Sequence, residues 1–543
     1  MTAVAVKASA RRPIAGVGRR LLRDWAPPLA AGLLLWAAFA PLRLWGTIFF
    51  AWLPILSWIQ EQVDARGAPA GSLWKRAGLA GFLFGAGLLF WILALSNEQV
   101  TVPGLMIPCL ALVGVYYAFI FIFQTAVIRW FAGSGLPLGL VFPILWPLME
   151  WVRTLGPLGF PWGSPGYAFA RVPAAVQFTS ATGFWGLALW VGLVTGLLHE
   201  GIRRAGSAGL GSRAARTLLG AAVLILALPF AYGGLRLGRA PSGPASLAGE
   251  GGPVVAIVQP NILREIKWKP GGAEASWGLL ERGSLEGIAR GAEILVWPET
   301  ALPMSLLHQP VYLARVRNLL AQSGAALLAG TLHSEGEFGT EGFRSYNSAI
   351  FMTPSGDAAP LYHKQKLVPF SERMPLQKVL PFLTMIDFGQ SDFMPGNEYR
   401  TFTDGPLRLA PLVCFESIFP EVSARFAFLG ANALVNVTND FWFGRTPGPL
   451  QHADMALLRA VENGLPLIRC ANTGVSFFVD PYGRIVEEAG IFREAVLTAR
   501  VGPGRPSFAA RHRNWLVWLL CGFAGALFIA RGWALTKLPR RAG

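Results

Sequence analysis

Long runs of apolar residues without a charged side chain recur along the chain, seven before residue 236 and one near the C-terminus. A helix needs ~20 apolar residues, with a range of about 17–25, to cross the hydrocarbon core of a bilayer. Only Arg43 separates the first two runs, so a re-entrant hairpin is the alternative there. The pattern predicts eight membrane-spanning helices, at residues 25–42, 44–60, 77–96, 104–128, 131–149, 172–198, 217–235 and 514–530.

Between the last two of these runs the pattern changes to short, β-rich apolar segments that alternate with helix-like stretches. Such alternation is typical of a layered α/β domain with buried strands. Two stretches have a helical pattern, 274–290 and 450–464, and Gly464 is a plausible C-cap of the second. The predicted strands lie at residues 254–259, 293–299, 326–331, 347–352, 407–416, 433–440 and 476–481.

Glycine, proline, serine and alanine dominate residues 238–253, which indicates a flexible linker. This boundary predicts the domain organisation. We expect a transmembrane domain of seven helices at 1–237, the linker at 238–253, the α/β domain at 254–505, and a final transmembrane helix with a tail at 506–543.

Composition and charge agree with a membrane protein. Charged residues make up 14% of the chain, against about 25% in soluble domains, and the mean hydropathy is +0.44. The net charge of +16 comes largely from basic clusters beside the apolar runs. Lysine and arginine mark the cytoplasmic side of short loops, so we expect both termini in the cytoplasm and the α/β domain outside, in the periplasm of a two-membrane bacterium. The charge is a topology signal, and nucleic acid is not an expected partner.

Ionisable or reactive residues lie at the ends of predicted strands or in a loop between them. Glu299 and Cys414 are at strand ends, and Lys364 is in a loop. A free thiol with a pKa of ~8.5 is mostly protonated at neutral pH, so a nucleophilic cysteine needs a base or a positive neighbour. Glu299 would take the proton, and Lys364 with the backbone N–H of Phe415 would stabilise an oxyanion. Taken singly, each residue also fits an ordinary role: a core cysteine, a turn carboxylate and a surface lysine.

Other classes of function have weaker support. The four cysteines and six histidines show no metal-site spacing, so no metal is expected. A cysteine–histidine protease would need a histidine base, for which His363 and His452 are candidates by position only. A transporter would carry ionisable residues inside its spans, and Glu150, near a span end, is the exception found.

The order Glu, Lys, Cys resembles the catalytic set of the nitrilase superfamily, whose fold is an αββα sandwich. The whole chain is similar to its membrane-bound branch, the apolipoprotein N-acyltransferases. Six motifs carry the resemblance: FPWGSPGY (160–167), WPETALP (297–303), YHKQKLVPFSE (362–372), VCFESIFPE (413–421), NVTNDFWFG (436–444) and QHADMALLRAVENGLPLIRCANTG (451–474).

The resemblance implies roles for individual residues. Glu299 is the general base, Lys364 the oxyanion and thiolate partner, and Cys414 the nucleophile. Glu372 and Glu416 are supporting carboxylates, and Trp268 lies on a mobile arm. Two positions depart from the family pattern, because Phe415 stands where a tyrosine is usual and Ser371 stands where a glycine is usual.

The resemblance also implies a ping-pong acyl transfer in the bacterial inner membrane without a cofactor. Cys414 would take the sn-1 acyl chain of phosphatidylethanolamine as a thioester and pass it to the α-amine of the N-terminal diacylglyceryl-cysteine of an apolipoprotein. Apolar loops at 440–444 and 380–394 would contact lipid. The alternative is a membrane-tethered amidase that uses water as acceptor. The sequence does not show the oligomeric state, and we expect a monomer.

Overall fold

The computed structural model describes residues 14–65, 71–95, 104, 106–209, 211–248, 251–374 and 392–536. A helical part comes first, an α/β domain follows, and a long helix closes the chain. The predicted lipid-contacting stretch at 380–394 falls mostly outside the described residues, and so does the end of the C-terminal tail.

Long apolar helices lie in the first part of the described chain and at its C-terminal end, helices of mixed composition lie in the α/β domain, and several others have only four or five residues. In chain order they are α1 (Ile14–Ala37), α2 (Ile48–Ala51), α3 (Leu53–Asp64), α4 (Gly71–Leu88), α5 (Met106–Ala132), α6 (Leu138–Val152), α7 (Pro173–Val176), α8 (Thr179–Thr182), α9 (Trp185–Ala208), α10 (Arg213–Arg239), α11 (Pro244–Ala248), α12 (Arg264–Lys267), α13 (Gly272–Ala289), α14 (Pro310–Ser323), α15 (Pro420–Phe428), α16 (Gly448–Asn463), α17 (Phe508–Arg511) and α18 (Trp515–Thr536).

Four helices in the described part of the chain are long and apolar enough to cross a membrane: α5, α9, α10 and α18. One further apolar helix of the described residues, α6, is shorter, with 15 residues. The predicted span 44–60 is not one helix, because a 3-10 turn and a break divide it into α2 and α3, and 172–198 is divided into α7, α8 and α9. The helical membrane character is therefore confirmed, whereas the count of eight spans is not.

Apolar side chains on the outside of the helical part support the same conclusion. On α5, the residues Ile107, Leu112, Phe119 and Phe123 are all exposed. A soluble protein rarely exposes so continuous an apolar surface, whereas lipid tails cover one without cost.

The described residues of the α/β domain form two six-stranded sheets. Their strand orders are β12-β1-β2-β3-β4-β5 and β11-β10-β9-β8-β7-β6. The strands are β1 (Val254–Gln259), β2 (Ile294–Trp297), β3 (Ala326–Glu335), β4 (Arg344–Met352), β5 (Tyr362–His363), β6 (Phe402–Asp404), β7 (Leu407–Val413), β8 (Ala433–Thr438), β9 (Leu467–Ala471), β10 (Ser476–Val479), β11 (Ile485–Ala489) and β12 (Ala495–Arg500).

Each sheet has a parallel centre and antiparallel edges. In the first sheet β1, β2 and β3 run parallel, and in the second sheet β7, β8 and β9 do. The register pairs Ile257 with Val296 in the first sheet and Leu412 with Asn436 in the second. Parallel strands direct their C-terminal ends to one edge, where loops carry ligand-binding groups.

The two sheets pack face to face with helices outside, which is the αββα sandwich that the resemblance implies. Side chains alternate along a strand, so β1 serves two cores. Val255 and Ile257 belong to the core between the sheets. Ala256 and Val258 pack against Trp277 of α13 on the outer face.

Helix α16 joins the α/β domain to the membrane helices through the buried side chain of Gln451. Its Oε1 accepts hydrogen bonds from Nε1 of Trp91 at 3.1 Å and from Nε1 of Trp162 at 2.8 Å. Its Nε2 donates to the carbonyl oxygens of Ala40 at 2.9 Å and Leu88 at 3.1 Å. One side chain thus links three separate segments of the helical part to the α/β domain.

An ionic contact lies one turn further along α16. Asp454 accepts from Nε of Arg43 at 2.9 Å and from Nε of Arg171 at 2.7 Å. Arg43 separates the first two apolar runs of the sequence. Its ion pair with Asp454 places it at the end of the helical part that contacts the α/β domain.

Replacing Gln451 with leucine is expected to loosen this junction. The change leaves two indole N–H groups and two carbonyl oxygens buried without their partner, at a net cost of about 3 kcal/mol or more. We expect the melting temperature of the detergent-solubilised protein to fall by roughly 5 °C. The control is Gln322→Leu, since Gln322 is exposed on the surface helix α14. Equal melting temperatures for the two variants would contradict this account of the junction.

Candidate active site

Glu299 and Lys364, which follow strands of the first sheet, lie close to Cys414, which follows a strand of the second. Glu299 lies two residues after β2 of the first sheet, Lys364 directly follows β5 of that sheet, and Cys414 directly follows β7 of the second. Nζ of Lys364 is 3.5 Å from Oε1 of Glu299. The charges of both residues act on the Cys414 thiol. The structure thus brings together three residues that the sequence could only place separately at strand ends.

The Glu299 carboxylate is held by one hydrogen bond from each sheet. Oε1 accepts from Nδ2 of Asn347 at 2.7 Å, and Oε2 accepts from the backbone N–H of Asn439 at 2.9 Å. Gly330, on β3, has no room for a side chain, because a Cβ there would collide with the Glu299 backbone. These contacts keep the carboxylate fixed in a buried position.

Lys364 is buried between two carboxylates. Its Nζ donates to Glu372 at 2.9 Å and lies near Glu299. Burial works to lower the pKa of the ammonium, but the charges of Glu372 and Glu299 outweigh it and hold the pKa well above its usual value. The two carboxylates therefore favour the charged form of Lys364. Glu372 is itself fixed by the backbone N–H of Val368 at 2.8 Å.

Cys414 has a left-handed backbone conformation, with a φ of 50°. Few residues other than glycine adopt it, because Cβ crowds the backbone, and such strain is concentrated at functional sites. The sharp turn from β7 into a 3-10 turn holds the thiol at the strand end. Ser417 donates its hydroxyl to the Cys414 carbonyl oxygen at 2.8 Å, which fixes the turn.

Glu416 ties the turn at Cys414 to the loop of Lys364. Its Oε2 accepts from the backbone N–H of Val413 at 2.8 Å. Its Oε1 accepts from the hydroxyl of Tyr362 at 2.7 Å and from the backbone N–H of Gln365 at 2.7 Å. The fully buried carboxylate thus fixes the distance between the two loops.

Two family models match the chain. The model described as carbon-nitrogen hydrolase matches residues 254–506, and the model described as apolipoprotein N-acyltransferase N-terminal domain matches residues 31–197. Curated relatives with the name apolipoprotein N-acyltransferase match nearly end to end. The relative from Geobacter metallireducens is 33% identical over 94% of this chain and 95% of its own length. The chain belongs to the apolipoprotein N-acyltransferase family.

Further relatives agree. The apolipoprotein N-acyltransferase of Brucella melitensis is 34% identical over 94% of this chain and 97% of its own length, and that of Azotobacter vinelandii is 35% identical over 95% of each. Among solved structures, a mutant of the Nesterenkonia AN1 amidase from the nitrilase superfamily is similar with a TM-score of 0.38 and 19% identity, over 52% of this chain and 99% of that chain. The resemblance drawn from the sequence motifs is confirmed at the level of the family.

Phe415, where the apolipoprotein N-acyltransferase pattern has a tyrosine, is directed towards the helical part. Its buried ring stacks on Phe160 at a centroid distance of 6.2 Å and meets Phe419 edge-on at 5.0 Å. The Phe160 contact explains how the FPWGSPGY motif reaches the site. An apolar ring suits this apolar contact without a hydroxyl.

The other departure from the family pattern, Ser371, needs no compensation. Phe370, the residue before it, has the left-handed conformation of this turn, with a φ of 67°, whereas Ser371 is not among the described residues with positive φ. A serine therefore replaces a glycine without backbone strain at that position.

Trp268 does not join the three central residues. It follows α12, is 50% exposed, and has the Nζ of Lys267 at 6.0 Å from its ring. The loop 440–444, predicted to contact lipid, has one aromatic side chain packed against the helical part and another that is exposed. Phe443 packs edge-on against Trp91 at 4.7 Å, whereas Trp442 is exposed.

Sequence reasoning missed a buried cluster behind Cys414. Nε2 of His452 is 3.2 Å from the Cys414 carbonyl oxygen, and its Nδ1 is 2.9 Å from Oδ1 of Asp440. Arg469 donates to the other oxygen of Asp440 at 2.8 Å. Burial raises the pKa of Asp440, but the charges of His452 and Arg469 bring it down to about 2. All three residues lie in motifs quoted above, Asp440 in NVTNDFWFG and the other two in the motif at 451–474. Their contact could not be predicted from those motifs, because the residues come from three separate elements.

The same cluster bears on the metal and protease alternatives. Ligand atoms of Cys414, Asp440 and His452 lie within 4.8 Å of one another. The oxygens of Asp440, however, already accept from Thr438 and Arg469. The arrangement fits a hydrogen-bond network better than a cation site. The second histidine weighed as a protease base, His363, has its Nδ1 at 2.8 Å from Oγ of Ser348.

The pH dependence of Cys414 alkylation is a testable consequence of its surroundings. Burial and the negative charge of Glu299 raise the pKa of the Cys414 thiol, and the positive charge of Lys364 only partly offsets them. We therefore expect the resting group to be a thiol at neutral pH. We expect the rate constant for iodoacetamide to rise ~10-fold per pH unit from pH 7 to 9, because the thiolate is the reactive form. A plateau below pH 8 would show that the thiol is ionised at rest.

Proposed function

We propose that this chain is an acyltransferase that moves a fatty acyl chain from a phospholipid, through a thioester on Cys414, to the α-amine of the N-terminal diacylglyceryl-cysteine of an apolipoprotein. The observation that carries the proposal is the convergence of Cys414, Glu299 and Lys364 in a chain that also provides apolar helices. The full-length relatives bear the name of this activity.

The first half-reaction makes the acyl-enzyme. Glu299 takes the proton of the Cys414 thiol as the sulfur attacks the ester carbon of the donor, for which we propose the sn-1 ester of phosphatidylethanolamine. Lys364 and the backbone N–H of Phe415 stabilise the oxyanion. When the tetrahedral intermediate collapses, the lysophospholipid alkoxide leaves and takes the proton from Glu299.

The second half-reaction uses the same groups. The neutral α-amine of the acceptor attacks the thioester, and Glu299 takes one proton from the attacking nitrogen. The Cys414 sulfur leaves as a thiolate beside Lys364 and then recovers the proton from Glu299. Both half-reactions therefore need Glu299 as a base and then as an acid.

The contacts between the two parts support a periplasmic position for the α/β domain. In the eight-span topology, the loops after the first, third and fifth spans lie on the outer side. Arg43, Trp91, Trp162 and Arg171 come from these loops or their borders, and all contact α16. We therefore propose eight spans in the inner membrane with both termini in the cytoplasm.

The domain organisation follows from the same topology. We propose a transmembrane domain at 1–237, a linker at 238–253, a periplasmic catalytic domain at 254–505 and a last span with its tail at 506–543. A monomer contains the three proposed catalytic residues, so we propose that one chain is sufficient. A donor phospholipid and a diacylated apolipoprotein are its proposed partners.

The test is transfer to a defined acceptor. Purified protein is incubated with phosphatidylethanolamine and a synthetic peptide that begins with diacylglyceryl-cysteine. The molecular mass of the peptide is then measured by mass spectrometry. We expect a mass gain of one acyl chain with the wild type and with Cys521→Ala, and none with Cys414→Ser. Hydrolysis of small amides without any acylated peptide would favour the amidase alternative.

A further inference from the structure

Lys267 is a buried cation that the proposed mechanism does not use. It ends the short helix α12, its side chain is 1% exposed, and its Nζ has no hydrogen-bond partner in the described structure. Burying an ammonium group without a hydrogen-bond partner destabilises the folded protein. Such a group in an enzyme therefore indicates a ligand that accepts its hydrogen bonds.

The segment that carries Lys267 is anchored to the catalytic carboxylate. The side-chain amide of Asn472 forms two hydrogen bonds with the backbone of Ile262. It accepts from the N–H at 2.8 Å and donates to the carbonyl oxygen at 2.7 Å. The same amide donates to Oδ1 of Asn439 at 3.1 Å, and the backbone N–H of Asn439 donates to Glu299 at 2.9 Å. Lys267 thus lies five residues beyond a point fixed to the active site.

Glu299 is near Lys267 but does not neutralise it. Burial, the larger effect, lowers the pKa of Lys267 and the charge of Glu299 raises it, so that the net pKa is about 8. The oxygens of Glu299 are already engaged by Asn347, Asn439 and Lys364. An anion entering beside Glu299 would find an unpaired ammonium there.

The same segment carries exposed apolar side chains on its outer surface, beside the exposed Glu265 and Lys269. Leu263, Ile266 and Trp268 are all exposed. A buried cation beside three exposed apolar side chains fits an amphiphile whose anionic group lies close to its acyl chains. In a glycerophospholipid only the three-carbon glycerol backbone separates the sn-1 ester from the phosphodiester. The acceptor diacylglyceryl-cysteine carries no phosphate, and its α-ammonium would be repelled.

We propose that Lys267 binds the phosphodiester of the donor phospholipid while its sn-1 ester lies at Cys414. This inference rests on the proposed function and assigns donor selectivity to one residue. Lys267 thereby makes the first half-reaction prefer a phospholipid over an uncharged ester of the same chains.

The test compares two donors with the same acyl chains, phosphatidylethanolamine and diacylglycerol. Acyl-enzyme formation is followed by quenched mass spectrometry for the wild type, Lys267→Met, Lys267→Arg and Lys269→Met, whose lysine is exposed. We expect Lys267→Met to lower kcat/KM for phosphatidylethanolamine roughly 30-fold or more, because it removes one partner of a buried charge pair. With diacylglycerol, kcat/KM of the same variant should stay within ~3-fold of the wild-type value, because that donor has no phosphodiester for Lys267 to bind.

The two control variants sharpen the result. Lys267→Arg should keep most of the activity with phosphatidylethanolamine. Lys269→Met should leave kcat/KM unchanged with both donors. Equal slowing of both donors by Lys267→Met, or no slowing of either, would overturn the inference while the wild-type acyl-enzyme upheld the proposed function. No acyl-enzyme from the wild type would overturn both. Activity with diacylglycerol also reports that Lys267→Met is folded.

Discussion

Replacing Lys364 with methionine is expected to remove activity and to destabilise the α/β domain. The ammonium is the cation between Glu299, at 3.5 Å, and Glu372, at 2.9 Å, in a buried site. Without it two carboxylates face each other in a medium of low polarity. Breaking a buried pair in this way costs about 3–5 kcal/mol. The oxyanion also loses a charged donor, so we expect acyl transfer to fall by at least ~10³-fold.

Lys366 provides the matched control for this change. It lies two residues away, is partly exposed, and forms an ion pair with Glu421 at 3.6 Å. Surface pairs of this kind contribute about 0–1 kcal/mol, so Lys366→Met should keep both the melting temperature and the activity near wild type. Thermal denaturation and acyl transfer, measured side by side, compare the two variants. A Lys364→Met protein that melts and reacts like Lys366→Met would refute the role of Lys364.

Glu299→Gln is expected to slow acylation of Cys414 and at the same time to quicken its alkylation. Glutamine cannot accept the thiol proton, so acyl-enzyme formation should fall by roughly 10³-fold or more. The negative charge of Glu299 raises the pKa of Cys414. Removing that charge lowers the pKa, which increases the thiolate fraction at pH 8 and the rate with iodoacetamide.

These opposite effects separate a base from a merely structural carboxylate. A structural role predicts that both rates fall together, because the site would be disordered. Glu335→Gln is the control, since Glu335 is exposed at the end of β3. Acylation by Glu299→Gln at the wild-type rate would show that another group accepts the proton.

Much of the architecture is visible in the sequence because local patterns determine it. The predicted strand at 254–259 is β1 residue for residue. Gly464 ends α16 in the left-handed conformation expected of a C-cap, with a φ of 69°. The family assignment is confirmed because its motifs are long and stand in the right order.

What the sequence hides is the part that depends on distant contacts. Strand β9 was not predicted, since Arg469 interrupts its apolar pattern, and only the structure shows that Asp440 neutralises this arginine. His452 was weighed only as a protease base, whereas its Nε2 faces the backbone carbonyl of Cys414. The helix breaks near residues 52 and 183 lie within uncharged runs, so hydropathy alone counts them as continuous spans.

The junction between the two parts has a meaning for catalysis. Gln451 bonds to Trp91 and Trp162 of the helical part, and the next residue, His452, lies against the Cys414 carbonyl. The ring of Trp162 also stacks on His452 at 6.0 Å. The membrane helices thus support the turn that holds the nucleophile, so the catalytic domain is built to work in contact with them.

The central claim is that Cys414 carries the acyl chain of a phospholipid as a thioester. The most direct measurement is the intact mass of the purified protein after incubation with phosphatidylethanolamine and no acceptor, with Cys414→Ala as the control. The account predicts a mass increase of one fatty acyl group that requires Cys414 and is released by hydroxylamine. An unmodified mass, from protein whose folding is verified and which binds the lipid, would contradict it.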